Sequence, residues 1–324
     1  MQALEIALLM RLVDKGLARE GRRNTALIQR YRSAGWLEPT TRRDEWAVRL
    51  PARDELLARL DLLQPSWTGD AVLLRQLGLD PYDAADVACL PRLRSRRPAF
   101  DCLNRRNWMA ATGLGPKHAA RLPAPGLLTK DWVMRLRASV DLQLAWPGRT
   151  QHLLDLTREQ GEALVTERQW RWRTGWVRSG HVPQHLTVVS LENRGAYIDA
   201  PLIPGCVYVE SPGWNAETAV ELLNSLPGCR WFHFGDLDVE GLAIATHIAE
   251  ATQRPLRFYV PSFAQEYMDV PQGSGLPWPE HANGVPNLAP FVAARLGVAQ
   301  EAFVTDPRLA HDLEVFAARQ VDSF

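Results

Sequence analysis

Three short runs in the second half of the chain are apolar almost throughout: His185-Leu-Thr-Val-Val-Ser-Leu191, Gly205-Cys-Val-Tyr-Val-Glu210 and Cys229-Arg-Trp-Phe-His-Phe234. Short, unbroken, β-branched or aromatic runs predict strands buried on both faces, as in a parallel sheet. Between them the periodicity changes. Arg194 to Ala200 fits a short helix, Ser211-Pro-Gly213 a turn, and Trp214 to Leu226 an amphipathic helix. Val239 to Thr252 predicts a further helix, and Leu256 to Val260 a further strand. The resulting β-α-β-α-β-α-β alternation predicts an α/β fold with a parallel sheet and flanking helices. Such sheets carry their ligand sites at the carboxyl ends of the strands.

The front of the chain follows a different pattern. Leu4 to Leu17 and Asn24 to Ala34 read as helices, followed by a hairpin whose arms are Trp36-Leu-Glu38 and Trp46-Ala-Val-Arg-Leu50. Arg42 and Arg43 occupy the tip, so a winged-helix-like domain with two phosphate-seeking side chains on its wing is expected over residues 1–64. Pro51 to Leu63 closes that part as a helix. Residues 65–184 read as a basic, mainly helical DNA-binding or arm region, and 185–324 as the α/β domain with C-terminal helices at Asn287 to Leu296 and Pro307 to Arg319. No chemistry is assigned beyond Pro261.

The strand at 230–234 runs off its end into Asp236, Asp238 and Glu240. Successive side chains of an extended segment point to opposite sides, so Asp236 and Asp238 share one side. Two like charges about 4 Å apart repel by roughly 4 kcal/mol at an effective dielectric near 20, which calls for a cation or a shifted pKa. Magnesium is usually held through one or two carboxylates plus substrate phosphates, making nucleic-acid chemistry the first expectation. A second acid, Glu192, ends the strand at 185–191. Glu210 also ends a strand and competes with Glu192, but Ser-Pro-Gly follows it instead of Asn and a short helix. His233 lies within its strand and reads as a packing residue; His247 lies well along the next helix.

A strand ending in Glu, followed some forty residues later by one ending in Asp-x-Asp-x-x-Gly, resembles the Toprim domain of topoisomerases, DnaG-type primases and related nucleases. More narrowly, Leu191-Glu192-Asn193, the Gly213-Trp214 turn and Phe234-Gly-Asp236-Leu-Asp238-Val-Glu240-Gly241 resemble the JetD-type nuclease of the bacterial Wadjet plasmid-defence system, itself related to the topoisomerase VI A subunit. The resemblance covers residues 185–265 and is only architectural upstream. It implies acid/base work or metal contact for Glu192 and metal binding by Asp236 and Asp238. Glu240 matches a third acid of some Toprim enzymes and equally suits the positive end of its helix. The resemblance further implies Mg²⁺ or Mn²⁺, cleavage of closed circular double-stranded DNA, a condensin-like SMC complex as partner, and homodimerisation. Two alternatives remain: a topoisomerase-like strand transferase, and a catalytically silent DNA-binding subunit of such a complex.

Charge fits a nucleic-acid enzyme. The 324 residues carry 37 bases and 37 acids, yet from residue 185 onward there are 7 arginines, no lysine and 17 acids, leaving 30 bases against 20 acids in front. A basic front could grip phosphates beside an acidic site. Its densest stretches hold Arg94, Arg96 and Arg97, then Arg171 and Arg173 interleaved with Trp172 and Trp176, which are expected to pack inward from one helix face. Tyr31 and Tyr82 are the front-half tyrosines a strand transferase would use as nucleophile, and neither has a convincing context. Four cysteines without C-x-x-C spacing, no membrane-spanning run and no signal peptide suit a cytoplasmic protein.

Overall fold

The computed structural model describes residues 2–95, 103–113, 128–178, 186–268 and 277–319. It divides into two compact units, Met1–Lys130 and Asp131–Phe324. The divisions expected at 64 and 184 are therefore not those of the folded chain.

In the first unit the elements run α1 (Gln2–Lys15), β1 (Leu17–Arg19), α2 (Thr25–Ser33), β2 (Leu37–Pro39), β3 (Glu45–Val48), α3 (Arg53–Leu63), α4 (Trp67–Gln76), α5 (Ala84–Val87), α6 (Leu90–Ser95), β4 (Leu103–Asn104), α7 (Arg105–Thr112) and β5 (Leu128–Thr129). Strand β1 is additional to the expected elements; it pairs antiparallel with β3, which also pairs with β2, giving a small sheet ordered β1-β3-β2. One apolar cluster joins Leu9, Ile28 and Leu56 to Leu74, Leu90, Leu93 and Trp108, so residues beyond 64 complete the same core. Full burial of such side chains is worth roughly 1.5–3 kcal/mol each, which explains why the chain does not divide there.

The second unit contains β6 (Val133–Ala138), β7 (Leu142–Trp146), β8 (Arg149–His152), α8 (Leu153–Gln160), β9 (Ala163–Thr166), α9 (Glu167–Trp172), β10 (Gly175–Arg178), β11 (Thr187–Leu191), α10 (Arg194–Asp199), β12 (Cys206–Glu210), α11 (Glu217–Ser225), β13 (Arg230–Phe234), α12 (Val239–Thr252), α13 (Ala289–Ala294), α14 (Glu301–Val304) and α15 (Leu309–Arg319). Its five-stranded sheet is ordered β13-β11-β12-β6-β9. Strands β13, β11 and β12 are parallel, whereas β6 runs antiparallel to β12 and β9 antiparallel to β6. Residues 131–178 are thus largely strands of the α/β unit, not the helical arm expected. In β6 the arginines Arg135 and Arg137 alternate with fully buried Met134, Leu136 and Ala138. That period of two marks a strand despite the basic composition.

The parallel strands are buried on both faces. Val189, Leu191, Tyr208, Phe232 and Phe234 face one apolar cluster, which takes in Phe291, Phe303 and Leu313. Val188, Val207, Val209 and Trp231 face the other, together with Leu222, Ile244 and Ile248. Register pairs Leu191 with Phe234, so the chain leaves β11 and β13 side by side at the same sheet edge. The strand expected at 256–260 is reduced to one parallel bridge between Phe258 and His233.

Candidate active site at the strand ends

The matched ends of β11 and β13 determine what meets. Glu192 continues the ladder, its N–H donating to the Phe234 carbonyl at 3.3 Å. Its own side chain turns to the neighbouring strand end, where the Asp236 N–H donates to Glu192 Oε2 at 3.3 Å. Glu192 is 9% exposed. Asp238 caps α12 in extended conformation, with Oδ1 accepting from the Gly241 N–H at 2.8 Å. A capping carboxylate satisfies an otherwise orphaned helix donor and suits the positive helix end, as does Glu240 in the first turn. Gly241 is forced by contact: a Cβ there would collide with the Asp236 carbonyl oxygen.

Asp236 is held from two directions. Its Oδ1 accepts from the Asn193 side chain at 2.8 Å and from the Gln300 N–H at 2.7 Å. Gln300 is fully buried; its side-chain amide donates to the Phe234 carbonyl at 2.9 Å, and its oxygen accepts from the Asn193 N–H at 3.1 Å. One side chain therefore ties both strand ends together. An antiparallel bridge between Leu237 and Val298 brings this distant segment into place. The stretch beyond Pro261, to which sequence reasoning assigns no chemistry, thus builds the site through Gln300. Glu301 joins as a second acceptor for the Asn193 amide at 3.2 Å.

The electrostatics are those of an uncompensated acid cluster. Burial first, then the neighbouring Asp236, with smaller contributions from Asp238 and Glu240, push Glu192 up to about 7; the Asp236 N–H opposes them. Burial also raises Asp236, while the Gln300 and Asn193 hydrogen bonds pull it back. Among the described residues, none of Glu192, Asp236, Asp238 or Glu240 forms an ion pair. Nor, among the described residues, do three His, Cys, Asp or Glu side chains stand close enough to form a ready-made metal cage.

The rival acid is occupied. Glu210 accepts from Arg194 at 3.3 Å and faces Arg135 at 3.2 Å, while both arginines also reach Glu162. His233 packs inside β13, hydrogen-bonded to Ser190, and His247 lies against Trp214 on α12.

The candidate DNA-binding arginines separate. Arg42 and Arg43 sit exposed on the β2–β3 tip, where their side chains face Glu45 at 3.9 Å and Asp44 at 3.5 Å. Arg94 instead donates through Nε to buried Asp70 at 2.8 Å. Arg171 donates to Glu167 at 2.6 Å, and Arg173 covers the Trp170 ring at 3.7 Å, where burial lowers its pKa. Arg96 and Arg97 lie outside the described residues. The expected inward pair of tryptophans is also revised. Helix α9 stops at Trp172, which is 61% exposed, whereas Trp176 packs partly buried against the second apolar cluster from β10, beside the buried Trp170.

Residues 200–313 match a family model described as a protein of unknown function C-terminus (DUF2399). The match includes Asp236, Asp238 and Gln300 but not Glu192. No curated protein matches the chain. No described helix is long and apolar enough to cross a membrane.

Proposed function

We propose that the chain is a divalent-metal-dependent DNA endonuclease that hydrolyses phosphodiester bonds at the edge formed by Glu192, Asp236 and Asp238. The observation that carries this reading is a set of acids gathered at adjacent parallel strand ends with no cation paired to them among the described residues, burial pushing one of them, Glu192, up to about 7. The donors are hard carboxylate oxygens, and Oδ1 of Asp236, Oδ1 of Asp238 and Oε2 of Glu192 each accept hydrogen bonds from the protein. Mg²⁺ keeps several waters and takes only one or two carboxylates, so a site that is no closed cage fits it or Mn²⁺. When bound, the ion supplies charge neutralisation at the scissile phosphate and a more acidic water. Glu192, pushed up to about 7 mainly by burial, is suited to accept a proton from an attacking water, because a general base works best near the operating pH. Asn193 and Gln300 hold Asp236 in orientation.

The Toprim resemblance supports this chemistry, and the small β1-β3-β2 sheet with Arg42 and Arg43 at its tip supports a winged-helix-like grip on duplex DNA. The Wadjet resemblance extends the reading to closed circular plasmid DNA, a condensin-like SMC partner and a homodimer. Hydrolysis is preferred to a covalent tyrosyl intermediate. Tyr31 is buried and hydrogen-bonded to Glu5, burial raising its pKa, and the Tyr82 hydroxyl is bound to Asp14.

Supercoiled plasmid incubated with the purified chain and Mg²⁺ or Mn²⁺ tests the proposal. Asp238→Asn, which keeps a capping oxygen, should lower cleavage by about 10²-fold or more, since several kcal/mol of charge stabilisation are lost at tenfold per ~1.4 kcal/mol. It should also weaken the Mg²⁺-induced rise in melting temperature. Equal cutting by both proteins would sink the assignment. Absence of cleavage and of any metal-induced shift in wild type would favour a catalytically silent subunit.

A further inference from the structure

Behind the strand ends lies a buried polar chain that the proposed chemistry does not use. The Trp231 indole, which can only donate, gives its N–H to Ser190 Oγ at 2.9 Å. Ser190 Oγ lies 2.9 Å from His233 Nδ1, its one acceptor among the described residues. The serine proton therefore points to Nδ1, which leaves the imidazole proton on Nε2. Burial keeps this ring neutral, pushing its pKa down to about 3. Phe258 lies alongside it, with 6.1 Å between ring centroids and the planes 28° apart.

Nε2 is the anomaly. His233 is fully buried, and Nε2 has no hydrogen-bond partner among the described residues. An unpaired buried donor is costly, so a use for it is expected. The atom faces the hollow left by the missing side chain of Gly235. A Cβ there would lie 2.6 Å from His233 Nε2 and 2.9 Å from Glu192 Oε2. No positive φ demands glycine at this position, so the hollow itself is the reason for the residue. Donor and carboxylate thus stand across one small gap. A hydrogen bond across it calls for rotation of the carboxylate about its broad terminal torsion or for one bridging water.

We infer that His233 is a positioning residue for Glu192: its Nε2–H holds Oε2 across the Gly235 hollow, with the Trp231–Ser190 pair setting the tautomer. This inference rests on the nuclease reading for its kinetic consequence but not for the contact. Outer partners that orient a reacting or ligating group are typically worth about 10- to 100-fold in activity.

Two readouts separate the contact from the activity. In the full chain with ¹⁵N-labelled histidines, eight in all, His233 should show the Nε2-protonated tautomer. Its Nε2–H resonance should move in Glu192→Ala. A proton on Nδ1, or a resonance indifferent to Glu192→Ala, overturns the inference. In plasmid cleavage, His233→Phe should lower kcat about 10- to 100-fold with KM little changed, and His233→Gln, whose amide places an N–H near the Nε2 position, should recover most of the rate. Gly235→Ala, whose Cβ would press on both His233 Nε2 and Glu192 Oε2, should lower kcat by driving the two apart while keeping the histidine itself, which guards against a His233→Phe protein that folds poorly. Equal kcat for folded His233→Phe and wild type, or no recovery by Gln, overturns the positioning role. A Glu192-dependent Nε2–H in a protein that cuts no plasmid would overturn the nuclease reading and leave the contact standing.

Discussion

Glu192 and Glu210 leave neighbouring parallel strands of one sheet, and their surroundings are opposite. Glu210 shares Arg135 and Arg194 with Glu162, and hydrogen bonding from Arg194 holds Glu162 below the usual carboxylate range. Glu192 is buried beside Asp236, Asp238 and Glu240 with no ion pair among the described residues, so burial first and then these like charges raise its pKa. The two acid groups also respond oppositely to pH. Stability from Glu162 is present above its unfolded pKa and is lost as pH falls through the lower folded value. Glu192 binds its proton more tightly folded than unfolded, so folding stability falls as pH rises from about 4.5 to about 7. A fold that neutralises one acid with two arginines could have treated the other likewise. That it does not is a physical reason to place chemistry at the second.

The largest effect on this contrast comes from removing the buried charge. With chelator present, Glu192→Gln should be about 3 kcal/mol more stable than wild type at pH 8 and nearly equal to it at pH 4.5, because each pH unit separating the folded and unfolded pKa values is worth roughly 1.4 kcal/mol. Denaturant unfolding at the two pH values measures this, and parallel curves for both proteins would erase the contrast. Glu210→Gln should do the reverse, costing about 1–2 kcal/mol, a figure discounted because Arg135 and Arg194 are partly exposed. Its cleavage rate should stay within about twofold of wild type. A melt combined with the plasmid assay checks both, and loss of cleavage in a folded Glu210→Gln protein would move the site to β12.

The arginines divide along similar lines, with smaller consequences. Arg42→Ala and Arg43→Ala should each reduce the slope of log affinity against log salt for duplex DNA by about 1, with stability changed by less than about 0.5 kcal/mol. Arg94→Ala should instead lower the melting temperature, because it leaves buried Asp70 without its guanidinium partner. Salt-dependent binding of the three variants tests the distinction; unchanged slopes for the first two would remove the wing from the DNA interface.

Much of the site is legible in advance because the strands carrying it are continuous apolar runs that end abruptly in acids. Glu192, Asp236 and Asp238 are visible as candidates on that basis, and so is Glu210, which only the residues that follow it set apart. The antiparallel strand β6 escapes such a reading because Arg135 and Arg137 lie at half-buried positions among buried apolar residues, which in composition resembles a basic helix. The strand expected at 256–260 is curtailed by Pro255 and Pro261, which lack the N–H groups needed to extend the ladder on either side of Phe258. Gln300 leaves no local trace. Its role depends on the Leu237–Val298 bridge, a long-range pairing without periodicity or turn chemistry to announce it.

The backbone contact at Gly241 also bears on how relatives of this chain could be recognised. Because any side chain there would strike the Asp236 carbonyl, variation at that position is barred by shape whatever the protein's task, whereas Glu240 has no such constraint. A search pattern that fixes the glycine five places after the first aspartate and leaves the preceding residue open would gather distant sequences more faithfully than one demanding all three acids.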